Sequence, residues 1–111
     1  MQITSTQFKH CDMVKLSGRV DSSTAPQLSE ALNAIMESGR FKFVIDFTGV
    51  EFISSAGLRV LVNAQKACKR YNRGEVVLAC VSKNIYSALD LAGFTSLYQI
   101  YDDTLAAVGY F

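Results

Sequence analysis

The chain has 111 residues, half of them hydrophobic and 19% charged, the size and composition of one folded domain and not of a disordered chain. Its formal net charge of +1 removes the electrostatic case for general nucleic-acid binding. No apolar run reaches the roughly 18 residues of a membrane span, and residues 1–10 are polar and alternating, unlike a signal peptide, so a soluble cytoplasmic protein is expected.

Residues 3–8 alternate weakly, as a strand does. Cys11-Asp12 reads as a tight turn, and Met13 to Leu16 as a second strand that Ser17-Gly18 interrupts, so a hairpin opens the chain. Asp21-Ser22-Ser23-Thr24 is rich in helix N-cap residues, and Pro26 suits a first helical turn. Leu28, Leu32 and Ile35 then trace one apolar helical face, which Gly39 ends. Phe43-Val44-Ile45 reads as a buried strand before Asp46, and Val50 to Ile53 follows after Gly49. Ser54-Ser55-Ala56-Gly57 opens a second helix with Leu58, Leu61, Val62 and Cys68 inward, ended by Asn72-Arg73-Gly74. Val76 to Val81 is the next strand. Ser82 caps a third helix carrying Ile85, Ala88, Leu89 and Ala92, and Gly93 stops it. Tyr98 to Tyr101 is a last short strand, and Asp102 or Asp103 caps a final helix through Leu105 and Val108.

The order is β-β-α-β-α-β-α-β-α, which predicts an α/β fold: one domain over residues 1–111 with a mixed, mostly parallel sheet and the first strand antiparallel at an edge. Tyr110-Phe111 is expected to dock on the sheet. No repeat or low-complexity linker divides the chain.

Few residues offer chemistry. The three cysteines, Cys11, Cys68 and Cys80, are odd in number and lack the spacing of a zinc or redox motif, so free thiols are expected. His10, Cys11 and Asp12 are adjacent, and three neighbours seldom converge on one ion, so no metal site is assigned. Ser55 lacks the hydrolase elbow, which needs glycine where Ile53 stands, and His10 is the sole histidine. There is no P-loop. No catalytic residue and no cofactor are assigned.

Three segments resemble a known family. From Val44 to Leu61 an apolar strand, Asp46 and a short connection lead into Ser54-Ser55-Ala56-Gly57 and a helix. Leu16 to Asp21 is similar to the family's turn before the first helix, and Leu89 to Phe94 with Ile100 to Asp103 is similar to its C-terminal part. Together they resemble STAS domains of the bacterial anti-sigma factor antagonist type. The resemblance implies a protein-binding switch. A partner anti-sigma factor with serine kinase activity would phosphorylate a serine at the second helix start, bringing its own ATP and magnesium. The modified protein would let go, and a phosphatase would reset it.

Alignment on Gly57 puts that serine at Ser55, with Ser54 as second choice. Ser54 stands where the family often has Asp, and Ala56 where it often has Ser or Thr. Asp21, Ser22, Ser54, Ala56, Gly57 and Arg59 would then face the partner. Asp21 reads equally as a cap of its own turn, and the Ser54-Ser55 pair alone reads as plain N-capping. Arg59, Lys66, Arg70 and Arg73 fall near one helical face, either a basic stripe for an acidic partner or an ordinary solvated face. An unphosphorylated scaffold or accessory subunit of a transporter or sensory complex is the alternative. A monomer or weak dimer is expected, without direct nucleic-acid contact or a membrane span.

Overall fold

The computed structural model describes residues 1–111. In chain order its elements are β1 (Gln2–Gln7), β2 (Asp12–Val20), α1 (Ala25–Glu37), β3 (Lys42–Ile53), α2 (Ser55–Lys69), β4 (Glu75–Ala79), α3 (Lys83–Leu91), β5 (Ile100–Tyr101) and α4 (Thr104–Tyr110). This is the predicted order. Short 3₁₀ turns at Arg70–Asn72 and Thr95–Leu97 precede β4 and β5.

The five strands lie side by side in sequence order. β1 runs antiparallel to β2, and β2 through β5 are parallel. A parallel sheet laid down in one direction, with right-handed crossovers, must place every crossover helix on the same face. The core follows that rule. Leu28 and Leu32 of α1, Leu58, Leu61 and Cys68 of α2, and Ile85 and Leu89 of α3 pack in one cluster with Phe43, Ile45 and Phe47 of β3. Val44 and Val77 point the other way, where Ala107 and Val108 of α4 and the terminal Phe111 cover them.

Several boundaries differ from the sequence reading. The hairpin turn is Phe8 to Cys11, closed by the Phe8 N–H donating to the Cys11 carbonyl at 2.8 Å, and not Cys11-Asp12. Cys11 and Asp12 are both buried. Asp12 begins β2 and pairs with the Arg40 guanidinium, whose Nη2 also donates to the carbonyls of Phe8 and Cys11. A long-range cation therefore holds a turn that local propensity assigned two residues later.

Ser17-Gly18 does not end β2. The strand absorbs irregular pairing on both sides of it and continues to Val20. β3 is likewise one strand of 12 residues, because Gly49 lies against Ser17 where a side chain would collide. Its first half pairs with both β2 and β4, and its second half with β2 alone. That one-sided pairing explains why Glu51 and Phe52 are exposed beyond a fully buried run. Asp46, buried in the middle of β3, accepts from the Thr48 hydroxyl at 2.6 Å and its N–H at 3.0 Å.

β4 ends at Ala79 and β5 holds only two residues. Val62 is half-buried and Ala92 is an exposed helix cap, so neither lies in the core as expected. Gly39 and Gly93 stand at the predicted stops with φ of +92° and +76°.

Gln65 was not anticipated. It is buried on α2, its Nε2 donates to the carbonyls of Val76 and Leu97, and its Oε1 accepts from the Val76 N–H at 2.7 Å. One side chain thus ties α2 to β4 and to the segment entering β5.

Candidate functional site

The C-terminal ends of β2 and β3 bring two separate sequence segments together. Val20 pairs with Ile53, and the Ser54 N–H donates to the Val20 carbonyl at 2.8 Å. The Asp21 turn before α1 therefore lies beside the start of α2. Gly57 makes this fit possible, since a methyl there would lie 2.7 Å from Val20 Cγ1 and 2.8 Å from Ile53 Cγ1. A side chain would push the helix start away from the sheet.

The two serines divide the work at this helix start. Ser54 is the N-cap, half-buried, with its Oγ accepting from the Gly57 N–H at a long 3.4 Å. Ser55 is the first helical residue and is exposed. Capping thus falls to Ser54, while the Ser55 hydroxyl faces solvent at the positive end of the helix dipole. No acidic residue in the first turn offsets that end.

Asp21 is folded onto its own turn. Its Oδ1 accepts from the Ser23 hydroxyl at 2.7 Å, the Ser23 N–H at 3.0 Å and the Thr24 N–H at 3.2 Å. The Ser23 hydroxyl first, then the backbone donors, hold the carboxyl below the usual aspartate range. Thr24 is the N-cap of α1 without capping through its side chain, which instead donates to the Arg19 carbonyl. The cap reading of Asp21 describes its bonds, and its place beside Ser54 is compatible with partner contact. Ser22 is exposed next to it.

A cleft of about 330 Å³ runs from Ser55 along α2 to the end of α3. Leu58, Val62, Ala92 and Phe94 give it an apolar lining, and Ser55, Arg59, Asn63 and Lys66 supply the polar groups. Arg59 and Lys66 share this cleft, but the basic stripe goes no further. Arg73 turns back to donate to the carbonyls of Ala67 and Arg70 and lies 3.9 Å over the Phe41 ring. It closes the C-terminus of α2.

The sequence reading missed Phe94, Val62 and Asn63 as site residues, because the segment that follows α3 comes to lie beside this face of α2 only in the folded chain. It also missed Arg19, whose guanidinium sits 4.3 Å over the Phe52 ring beside the site. The signal for that pair was a charge and an aromatic residue at the ends of neighbouring strands.

His10 lies in the β1–β2 turn, at the opposite end of β2 from Ser55. It is out of reach as a base for either serine. A polar hollow at that far end is lined by Lys9, His10, Asp12, Arg40, Lys42 and Arg73. Both of its arginines are already committed to the structural contacts described above.

The STAS domain family model matches residues 2–107. The chain belongs to the STAS domain family. BtrV of Bordetella bronchiseptica, whose name places it among anti-sigma factor antagonists, is 30% identical over 111 residues, covering 100% of this chain and 95% of that protein. The anti-sigma-B factor antagonist of Listeria monocytogenes is 29% identical over 100 residues, covering 90% of this STAS chain and 86% of the relative. In structure, a Thermotoga maritima protein described as an anti-sigma factor antagonist superposes with a TM-score of 0.90 at 18% identity, covering 97% of this chain and 92% of the other. A sulfate transporter family protein from Wolinella succinogenes superposes with a TM-score of 0.75 at 24% identity, covering 88% and 81%. The mixed five-stranded sheet is therefore the STAS fold, and the sequence relatives place the chain with anti-sigma factor antagonists. No helix is long and apolar enough to cross a membrane.

Proposed function

We propose that this STAS domain is a phosphorylation-controlled binding switch of the cytoplasm. Unmodified, it binds an anti-sigma factor that has serine kinase activity. That partner transfers a phosphoryl group to Ser55, and the modified protein is released until a phosphatase resets it. The observation that carries the reading is the division between the serines: Ser54 caps α2, whereas Ser55 is exposed and free of that task. The domain acts as substrate and binding surface, and phosphoryl-transfer chemistry belongs to the partner.

The partner surface comprises Asp21 and Ser22 on one side, the Ser54–Gly57 helix start, and Arg59 at the cleft. A phosphoryl group on Ser55 adds about −1.5 to −2 charges and three acceptor oxygens. The helix N-terminus accommodates it with little change of fold. The partner, however, must now desolvate or repel it. A penalty of about 3 kcal/mol weakens binding roughly a hundredfold.

Phosphosite mapping by mass spectrometry, on protein from its own cells in several growth states, tests the site. Modification of Ser55 that changes with growth state is the expected result. Modification of Ser54 keeps the switch but moves it by one residue. With the partner in hand, Ser55→Ala should bind at least tenfold more tightly than Ser55→Glu, and equal binding would refute the mechanism.

The fold shared with the sulfate transporter family protein supports a second reading, a constitutive scaffold or accessory subunit. Co-purification with membrane-transport components, with Ser55 unmodified in every growth state, would favour it.

A further inference from the structure

Ser55 and Arg59 stand one helical turn apart on α2 and both line the α2–α3 cleft. Arg59 is exposed, and the one ion pair in the protein joins Arg40 to Asp12, so the Arg59 guanidinium has no carboxylate partner. No carboxylate lines the cleft. We propose that Arg59 reads the state of Ser55 within the same molecule: it is available to a partner carboxylate while Ser55 is free, and is captured by the phosphate once Ser55 is modified.

The geometry favours this pairing. An acid one turn N-terminal to a base, at positions i and i+4, is the better orientation for a helical ion pair. A phosphate dianion and a guanidinium form short, charge-assisted and often bidentate hydrogen bonds. Lys66 cannot take over, because eleven residues of helix place it about 16 Å further along. One modification then alters the partner surface twice. It adds negative charge at Ser55 and occupies the Arg59 guanidinium, so that it is no longer free for a partner carboxylate.

The inference rests on Ser55 being the modified residue, but its test does not depend on a cellular kinase. Phosphoserine is incorporated at position 55 during synthesis, in the otherwise wild-type chain and together with Arg59→Gln or Arg59→Lys. The phosphate is then titrated by ³¹P NMR at low salt. The neighbouring charges, Lys66 in the cleft and Arg19, Asp21 and Glu51 at the strand ends, are common to all three proteins.

With Arg59 present, the second ionisation of the phosphate, from monoanion to dianion, should fall about half a pH unit or more below that of the Arg59→Gln protein. That is roughly a threefold change in the equilibrium. Arg59→Lys should lie between them, and salt should narrow the difference. Coincident titrations with and without Arg59 overturn the inference. Unmodified Arg59→Gln should unfold at the same urea concentration as wild type, because the side chain is exposed. Absence of modified Ser55 in cells would remove the switch reading and leave this result standing, whereas coincident titrations remove the Arg59 pairing alone.

Discussion

Gly57→Ala sets two physical effects against each other at the heart of the site. Alanine is favoured over glycine inside a helix by up to about 1 kcal/mol, and less near an N-terminus. Against that, the added methyl would sit 2.7 Å from Val20 Cγ1, 2.8 Å from Ile53 Cγ1 and 3.4 Å from Ile53 Cδ1. Ordinary carbon contacts are about 3.5–4.0 Å, so two of these overlap by roughly 1 Å. Val20 and Ile53 are buried and β-branched, with little rotamer freedom to yield. Overpacking of this kind costs about 1–3 kcal/mol. The steric effect therefore wins, and a net loss of about 1–2 kcal/mol is expected, lowering the melting temperature by roughly 3–8 °C. Urea denaturation followed by circular dichroism measures it. In a Val20→Ala background, one of the two collisions is gone and the cost of Gly57→Ala should shrink by about 1 kcal/mol, a coupling expected only of residues in contact. A stabilised Gly57→Ala protein would refute the argument, since it would mean that helix propensity outweighs the close approach of α2 to the sheet.

Gln65→Leu roughly keeps the volume of the side chain but strands the Val76 N–H in the core, and a loss of about 1–3 kcal/mol in urea denaturation is expected. A change below 0.5 kcal/mol, roughly the scatter of surface substitutions, would mean that water replaces the amide there. The Cys68 thiol is pushed up by burial, from 9.0 to about 12, with nearby Arg73 opposing. The unfolded thiol loses its proton first as pH rises, so this group's contribution to stability is intact below pH 9 and declines towards pH 12. For the same reason a small thiol reagent at about pH 8 should label half-exposed Cys80 well before buried Cys68 and Cys11 in the native protein. Equal labelling rates for all three would contradict the packing of α2.

The element order was legible because each element carries its own local signals. Leu28, Leu32 and Ile35 mark α1 by spacing, Ser82 caps α3 through the Ile85 N–H, and Asp103 caps α4 through the Ala106 N–H. The errors cluster where a distant partner overrides local propensity. Asp12 looks like a turn residue until Arg40, 28 positions away, binds it at the start of β2. Ser17-Gly18 and Gly49 look like breaks. Gly49 instead lets β3 approach β2 closely at Ser17, and pairing between the two strands continues through both sites. Arg73 fits a helical stripe by counting, but the chain has left the helix by then and the side chain turns back over Phe41.

The candidate site divides in the same way. Short-range patterns in the chain suffice for a serine pair at a helix start, a capping aspartate in the turn before α1 and a resemblance to STAS domains, because hydrogen bonding over three or four residues sets caps and turns. Three features exist only in the folded molecule. The Asp21 turn meets the α2 start because Val20 pairs with Ile53. The cleft joins Ser55 and Arg59 to Phe94, nearly forty residues later, because α2 and α3 bury their apolar faces on the same side of the sheet. The choice of Ser54 as cap, with Ser55 left exposed, depends on how far Gly57 lets the helix settle against the strands. Apolar surface is buried between segments distant in sequence, and no local pattern encodes which faces will meet.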